Sequence, residues 1–254
     1  MERAKEVGVP TLFGERIPTL SDVIDGDLID VRNSSEARFA LSPDKRRWVR
    51  KRELVTGYEA LVSEALGFLL ARELSVPVPQ GAITGEGTGR SWLSLFVPGC
   101  THWDASRIHL VSNLHDVGRM FALDAIIFNP DRHSQNILLQ VDPHTTDDLR
   151  LWCIDVGDSL LGYPHDLFAA GTEPPTPRNI ARGLPLAEAS SEASAAAEAA
   201  TLLSKGLVRQ MVDEVCRLVG GVKEEALLLE ALWRRLQNAP AITHDYLKRL
   251  EAFV

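Results

Sequence analysis

The stretch Asn129-Pro130-Asp131-Arg132-His133-Ser134-Gln135-Asn136 constrains this chain more than any other. Asp131, Arg132, His133 and Asn136 fall within six residues, between the apolar runs 125–128 and 137–139. Flanks of that kind bury themselves, and a close-packed interior holds the polar loop between them in a fixed geometry. A second junction lies at Cys153-Ile154-Asp155-Val156-Gly157-Asp158, where an apolar strand runs into an acidic turn broken by glycine. Residues 137–141 and 149–154 read as two strands joined across 142–148, a hairpin that brings Asn136 and Asp155 to the same end.

The order of these groups matches phosphoryl transfer. That chemistry uses an Asp to take the hydroxyl proton, an Asn five residues later on a metal, and an Asp-x-Gly whose Asp also holds metal. Asp131, Asn136 and Asp155-Val156-Gly157 supply these parts in sequence. Two other readings compete. A polar loop often only caps helices, and a metal-dependent hydrolase also draws on Asp, His and Asn. Neither alternative requires this pair of motifs in this order.

Composition narrows the classes. At 254 residues the chain is long enough to bury a sizeable core, as one domain or as two lobes sharing a cleft. A net charge of −8 without a long basic tract argues against nonspecific nucleic-acid or anionic-membrane binding. Cys100, Cys153 and Cys216 are odd in number and far apart, so they suggest neither a zinc site nor a disulfide framework. No signal-peptide core or run of membrane-spanning length is present, and the expectation is a soluble cytoplasmic protein.

Taken in order, residues 19–24 read as a short capped turn, and strands are expected at 28–32, 37–41 and 46–51. Ser42-Pro43-Asp44-Lys45 makes a turn with proline at its second position. Alternation then places Val49 and Lys51 on one face of the third strand. Lys51 is the candidate phosphate lysine, and five neighbouring Lys and Arg residues give the alternative, a solvated strand. Residues 58–74 form an amphipathic helix that stops before Ser75-Val76-Pro77-Val78-Pro79. Glu64, near its apolar face, is the candidate partner of Lys51. Strands at 78–83 and 91–97 flank the glycine cluster 85–89, which reads as a hairpin connection and not a phosphate loop. Residues 95–99 look like a lobe boundary, and in a kinase such a crossover, here with Phe96 and Val97, offers backbone groups to the adenine.

A buried helix at 113–128 should deliver Asp131. Prolines break residues 158–185, and 187–200 are rich in Ala, Ser and Glu. That region is expected to be a substrate loop followed by an Ala-rich helix, or a partly disordered insertion. Amphipathic helices are expected at 205–219, 223–237 and 244–253, separated by Gly220-Gly221 and Pro240.

The sequence Asn129-Pro130-Asp131-Arg132-His133-x-x-Asn136, with Ile154-Asp155-x-Gly157 and the helix running into Leu74-Ser75-Val76-Pro77-Val78-Pro79, resembles the HipA-like kinases. Those proteins are distant relatives of the phosphatidylinositol 3- and 4-kinases. The resemblance covers roughly residues 30–165. It implies an α+β, two-lobed protein-kinase-like fold: a small, mainly β lobe with one long helix (1–98) and a mainly helical lobe (99–254). It also implies ATP and Mg²⁺ in the cleft and a protein or peptide Ser/Thr as acceptor, with a small molecule or lipid headgroup as the rival. Asp131 would be the base, His133 an assistant at the transferred phosphate, Asn136 and Asp155 metal ligands, and Lys51 a phosphate contact. One departure concerns the phosphate-covering loop, which in the family usually contains glycine. Here it reads Arg32-Asn33-Ser34-Ser35-Glu36-Ala37, so Ser34 and Ser35 would have to contact phosphate, beside a repelling Glu36. That departure leaves room for weak nucleotide affinity, and for a non-catalytic nucleotide-binding regulator as a further alternative.

Overall fold

A computed structural model describes residues 17–29, 37–52, 58–86, 89–141, 148–169 and 171–252. The chain is α+β, with a curled sheet in its N-terminal part and helices dominating the rest. Six strands make the first sheet: β1 (Thr19–Leu20), β2 (Ile24–Leu28), β3 (Arg38–Leu41), β4 (Arg47–Arg52), β5 (Gly81–Thr84) and β6 (Ser91–Leu95). Their spatial order is β1-β5-β6-β4-β3-β2. Residues 19–20 are therefore not the expected turn. They pair in parallel with β5, Thr19 opposite Ile83, a long-range contact that a two-residue element cannot announce in sequence. The second strand ends at Leu28, so it covers residues before the predicted 28–32; residues 30–32 lie outside the described residues.

The turn between β3 and β4 forms as expected, Lys45 N–H donating to Ser42 O at 2.8 Å. It fixes the register of β4, and through it which side chains share a face. Trp48 is buried with Ala40, Ala82 and Leu93 in a small core on one side of the sheet. Val49 and Lys51 occupy the other side, while Arg50 turns back to Asp25 at 2.8 Å.

Helix α1 (Glu59–Glu73) lies on the Lys51 side of the sheet. Its sequence suggested one apolar face, but every residue from Leu61 to Ala71 is buried. The helix is sandwiched, touching β6 on one side and α2 and α5 on the other. Gly67 lets α1 also approach Val156 closely, because a Cβ there would lie 2.5 Å from Val156 Cγ2.

A second sheet of three strands joins β7 (Cys100–His102) to β8 (Ile137–Val141) and β9 (Leu149–Cys153). The β8–β9 hairpin forms as predicted, with Ile137 opposite Cys153, and β7 is an addition to it. Around it pack α2 (Asp116–Ile127), α3 (Pro164–Ala169), α4 (Leu186–Thr201), α5 (Lys205–Val219), α6 (Glu225–Gln237) and α7 (Ala239–Glu251). The Ala-rich segment is a regular helix and not a disordered insertion. Ala189, Ala193, Ala196, Ala197 and Ala200 are buried, and small side chains let α4 lie close along α2. At the contact, a Cβ on Gly118 would sit 2.3 Å from Ala189 O. Pro240 lies in the first turn of α7 and does not separate helices, since a first-turn proline lacks only an N–H that would be unpaired anyway. Among the described residues no helix is long and apolar enough to cross a membrane.

Candidate active site

The polar loop starts where α2 stops. Phe128 adopts a left-handed conformation (φ 57°), which ends the helix and turns the chain toward Asn129-Pro130. Arg235 of α6, buried, donates through Nε to Ile126 O at 2.6 Å and through Nη2 to Ala125 O. The guanidinium thus places its charge on carbonyls of the last helical turn, Ala125 O among them also accepting the Phe128 N–H. Burial holds its pKa well below the ordinary arginine value.

Beneath the loop lies a buried polar hub. Asp124 and Arg132 are both fully buried and meet through Nη2 to Oδ1 at 2.6 Å and Nε to Oδ2 at 2.9 Å. Asn129 donates to Asp124 Oδ1 at 2.8 Å, and Asp131 N–H donates to Asn129 Oδ1 at 3.1 Å. From the other side Arg132 Nη1 reaches Asn136 O at 3.0 Å and Ile154 O at 2.6 Å. One guanidinium therefore joins the loop to the residue preceding Asp155. Burial, the largest effect, lowers the Arg132 pKa, but the Asp124 charge and hydrogen bond with weaker neighbours together raise it. Sequence reasoning gave Asp124 and Arg132 no role. The available signal was a carboxylate inside the apolar run Leu123–Ile127, since a buried charge requires a partner.

Above this hub, eight of the ten predicted residues line one cleft of about 630 Å³: Lys51, Glu64, Phe96, Val97, Asp131, His133, Asn136 and Asp155. Ser34 and Ser35 lie outside the described residues. Lys51 Nζ bonds Glu64 Oε1 and also Asp155 Oδ1, the latter at 2.7 Å. Burial opposes the Lys51 charge, and the two carboxylates more than restore it, raising its pKa. Glu64 is pushed up by burial and by Asp155 against the pull of Lys51. Asp155 is held below the ordinary carboxylate range despite its burial, through Lys51, Arg132 and the Gly157 N–H. Its backbone is left-handed, φ 61°, a conformation that Asp tolerates better than most residues.

Asn136 donates through Nδ2 to Asp131 O at 3.0 Å, which leaves its Oδ1 free among the described residues. Asp131 Oδ1 is buried without a hydrogen-bond partner among them. His133 Nδ1 accepts the Gln135 N–H at 3.2 Å, so a neutral ring carries its proton on Nε2, 3.8 Å from Asp131 Oδ2. Asp158, to which no role was given, also faces the cleft; burial, then Asp155 and Asp131, raise its pKa. At the crossover between the two parts of the chain, Phe96 N–H is taken by Arg47 O at 2.9 Å. Its ring stacks edge-on against Phe39, the centroids 5.5 Å apart.

No protein-family model matches this chain, and no curated protein matches it. Among solved structures, a proinflammatory kinase of Helicobacter pylori, CtkA, aligns over 94% of this chain and 99% of its own. The TM-score is 0.61 at 11% sequence identity. HipA of Shewanella oneidensis MR-1, solved with HipB and operator DNA, aligns over 99% of this chain and 68% of its own. Its TM-score of 0.43, also at 11% identity, is too low to argue from. The first likeness establishes that this chain shares the fold of the Helicobacter pylori kinase.

Proposed function

We propose that the chain is a kinase of HipA-like type that transfers the γ-phosphoryl group of ATP, with Mg²⁺, to a Ser or Thr hydroxyl of a protein or peptide. The carrying observation is Lys51 bonded to both Glu64 and Asp155 in a cleft that Asp131 and Asn136 also line. The shared fold supports the reading, as does a cleft large enough for a nucleotide. In this reading the nucleotide lies between a lobe ending at residue 98 and one beginning at 99, with the Val97 backbone at the adenine. A cytoplasmic setting belongs to the same reading, supported by three cysteines that form no disulfide.

The donors present fit Mg²⁺. Among the described residues no three His, Cys, Asp or Glu side chains form a metal cage. Asp155 and the free Asn136 Oδ1 offer instead the one carboxylate and one neutral oxygen that suit an ion otherwise held by phosphates and water. When bound, Mg²⁺ supplies charge neutralisation at the β- and γ-phosphates.

The protein's own groups divide the remaining work. Lys51, restrained by two carboxylates, offers a positive charge to phosphate that does not wander on its flexible stem. The acceptor oxygen bonds to the γ-phosphorus as the bond to the β,γ-bridging oxygen breaks, and ADP leaves with the electron pair. Asp131, with an unpartnered oxygen, orients the hydroxyl and takes its proton. His133, with Nε2 on the Asp131 side, holds a donor beside the transferred group.

The test separates the two aspartates. Asp131→Asn should keep Mg²⁺-dependent ATP binding by calorimetry while phosphoryl transfer falls by on the order of 10²–10⁴. Asp155→Asn should lose both. Normal transfer by Asp131→Asn removes the assignment.

A further inference from the structure

Residues 171–185 form no helix or strand, yet they are fixed against the polar loop. Arg178 N–H donates to Pro130 O at 2.8 Å and Ala181 N–H to Arg132 O at 2.8 Å, the two carbonyls that flank Asp131. The Trp103 indole donates to Arg182 O at 3.0 Å, and Pro174 and Pro177 of the stretch are buried. Its backbone is therefore a ledge bonded on both sides of the proposed base. The Arg178 and Arg182 side chains are exposed on it, and neither has a hydrogen bond, ion pair or ring contact among the described residues.

We propose that this ledge is the acceptor-docking surface and that Arg178 and Arg182 select a peptide carrying acidic residues beside the phosphorylated Ser or Thr. The inference rests on the phosphotransfer reading above and names its substrate class. In a chain of net charge −8, Arg46, Arg50, Arg119, Arg132 and Arg249 are all paired with carboxylates. The ledge guanidiniums are left open where an acceptor must approach. Asp158 is an opposing charge in this region, and Glu173 on the ledge itself is paired with Arg249. Arg178 stands near enough to Asp158 to pull against its raised pKa, yet beyond ion-pair distance of it. A planar guanidinium with several donors suits a carboxylate, and open charges on the rim of a site govern selection more than total affinity.

The experiment uses the full chain with Mg²⁺–ATP and three synthetic peptides holding one Ser among Glu, Gln or Lys neighbours. Radiolabel transfer gives kcat/KM for each, and ATP hydrolysis without peptide is followed in parallel. The Glu peptide should be preferred over the Lys peptide by about tenfold or more, and added salt should shrink that ratio. The double variant Arg178→Glu with Arg182→Glu should invert the preference. Arg217→Glu, one such charge reversal placed on the exposed side of α5, should leave it unaltered. Equal use of the three peptides, or a preference that survives the double variant, overturns the proposal. Hydrolysis of ATP with no transfer to any peptide overturns it too while sparing the kinase reading. An absence of any ATP consumption sinks both.

Discussion

Two buried cations stand on either side of Asp155, and they are held in opposite ways. Arg132 is sealed: it and Asp124 are both at 0% side-chain exposure, and all three of its nitrogens donate to a carboxylate or a backbone carbonyl. Lys51 opens to the cleft with 16% of its side chain exposed, and it shares its ammonium between two carboxylates, Glu64 and Asp155. Two acids on one base leave an uncompensated negative charge at the cleft floor. The sealed pair has no such surplus, and nothing that enters the cleft can exchange with it. One cation therefore shapes the backbone, and the other is placed to trade a carboxylate for a ligand.

The largest effect should come from breaking the sealed pair. Arg132→Met leaves Asp124 charged, buried and alone, and the carbonyls of Asn136 and Ile154 lose their donor. Urea unfolding should show a loss of about 3–5 kcal/mol, the usual cost of orphaning one partner of a buried ion pair. A loss below about 1 kcal/mol would mean water reaches this site. The double variant Asp124→Leu with Arg132→Met removes the orphan, and its cost should fall short of the two single costs summed by about 1–3 kcal/mol. Strict additivity would dissolve the hub into independent contacts. Lys51→Met should cost less, about 1–2 kcal/mol, because Glu64 can neutralise itself by taking a proton. Transfer activity should nevertheless be lost. A stability loss equal to that of Arg132→Met would erase the distinction between the two cations.

How much of this was legible follows from which contacts are local. Asp131 and Asn136 are five residues apart on one loop, and a single hairpin carries Asn136 to Asp155, so motif and strand pattern sufficed. Lys51 and Glu64 needed only strand alternation and a helix in the right place. The sheet edge β1 was missed because two residues carry no period, and their pairing with β5 spans more than sixty positions. The all-round burial of α1 from Leu61 to Ala71 was misread because a helix between two layers shows a broader apolar surface than one facing a single core. The ledge at 171–185 has no periodicity, and its order comes from bonds to Pro130 and Arg132 that composition does not encode.

The smallest effect sharpens the open side of the comparison through pH. Glu64 titrates above its ordinary 4.5 in the folded state, with burial and Asp155 outweighing Lys51. Between those two values the native protein holds a proton that the unfolded chain has released. The stability that Glu64 contributes is thus complete below 4.5 and is lost as pH rises through its folded pKa. Asp155 runs the other way: its folded pKa lies below the ordinary 3.8, so its contribution is present above 3.8 and is lost on further acidification. Above pH 4.5, then, the Glu64 contribution trends downward together with that of Asp158, whose raised pKa is common to the parent and to a Glu64 variant. Glu64→Gln removes the Glu64 trend alone, so the variant's stability relative to the parent should improve as pH rises across that range, by about 1.4 kcal/mol for each unit of displacement. Urea titrations every half unit, in chelator to exclude metal, measure the slope. A relative stability that worsens with rising pH would show that Lys51 governs Glu64 more strongly than burial does, and that the cleft floor is a balanced ion pair with no charge to spare.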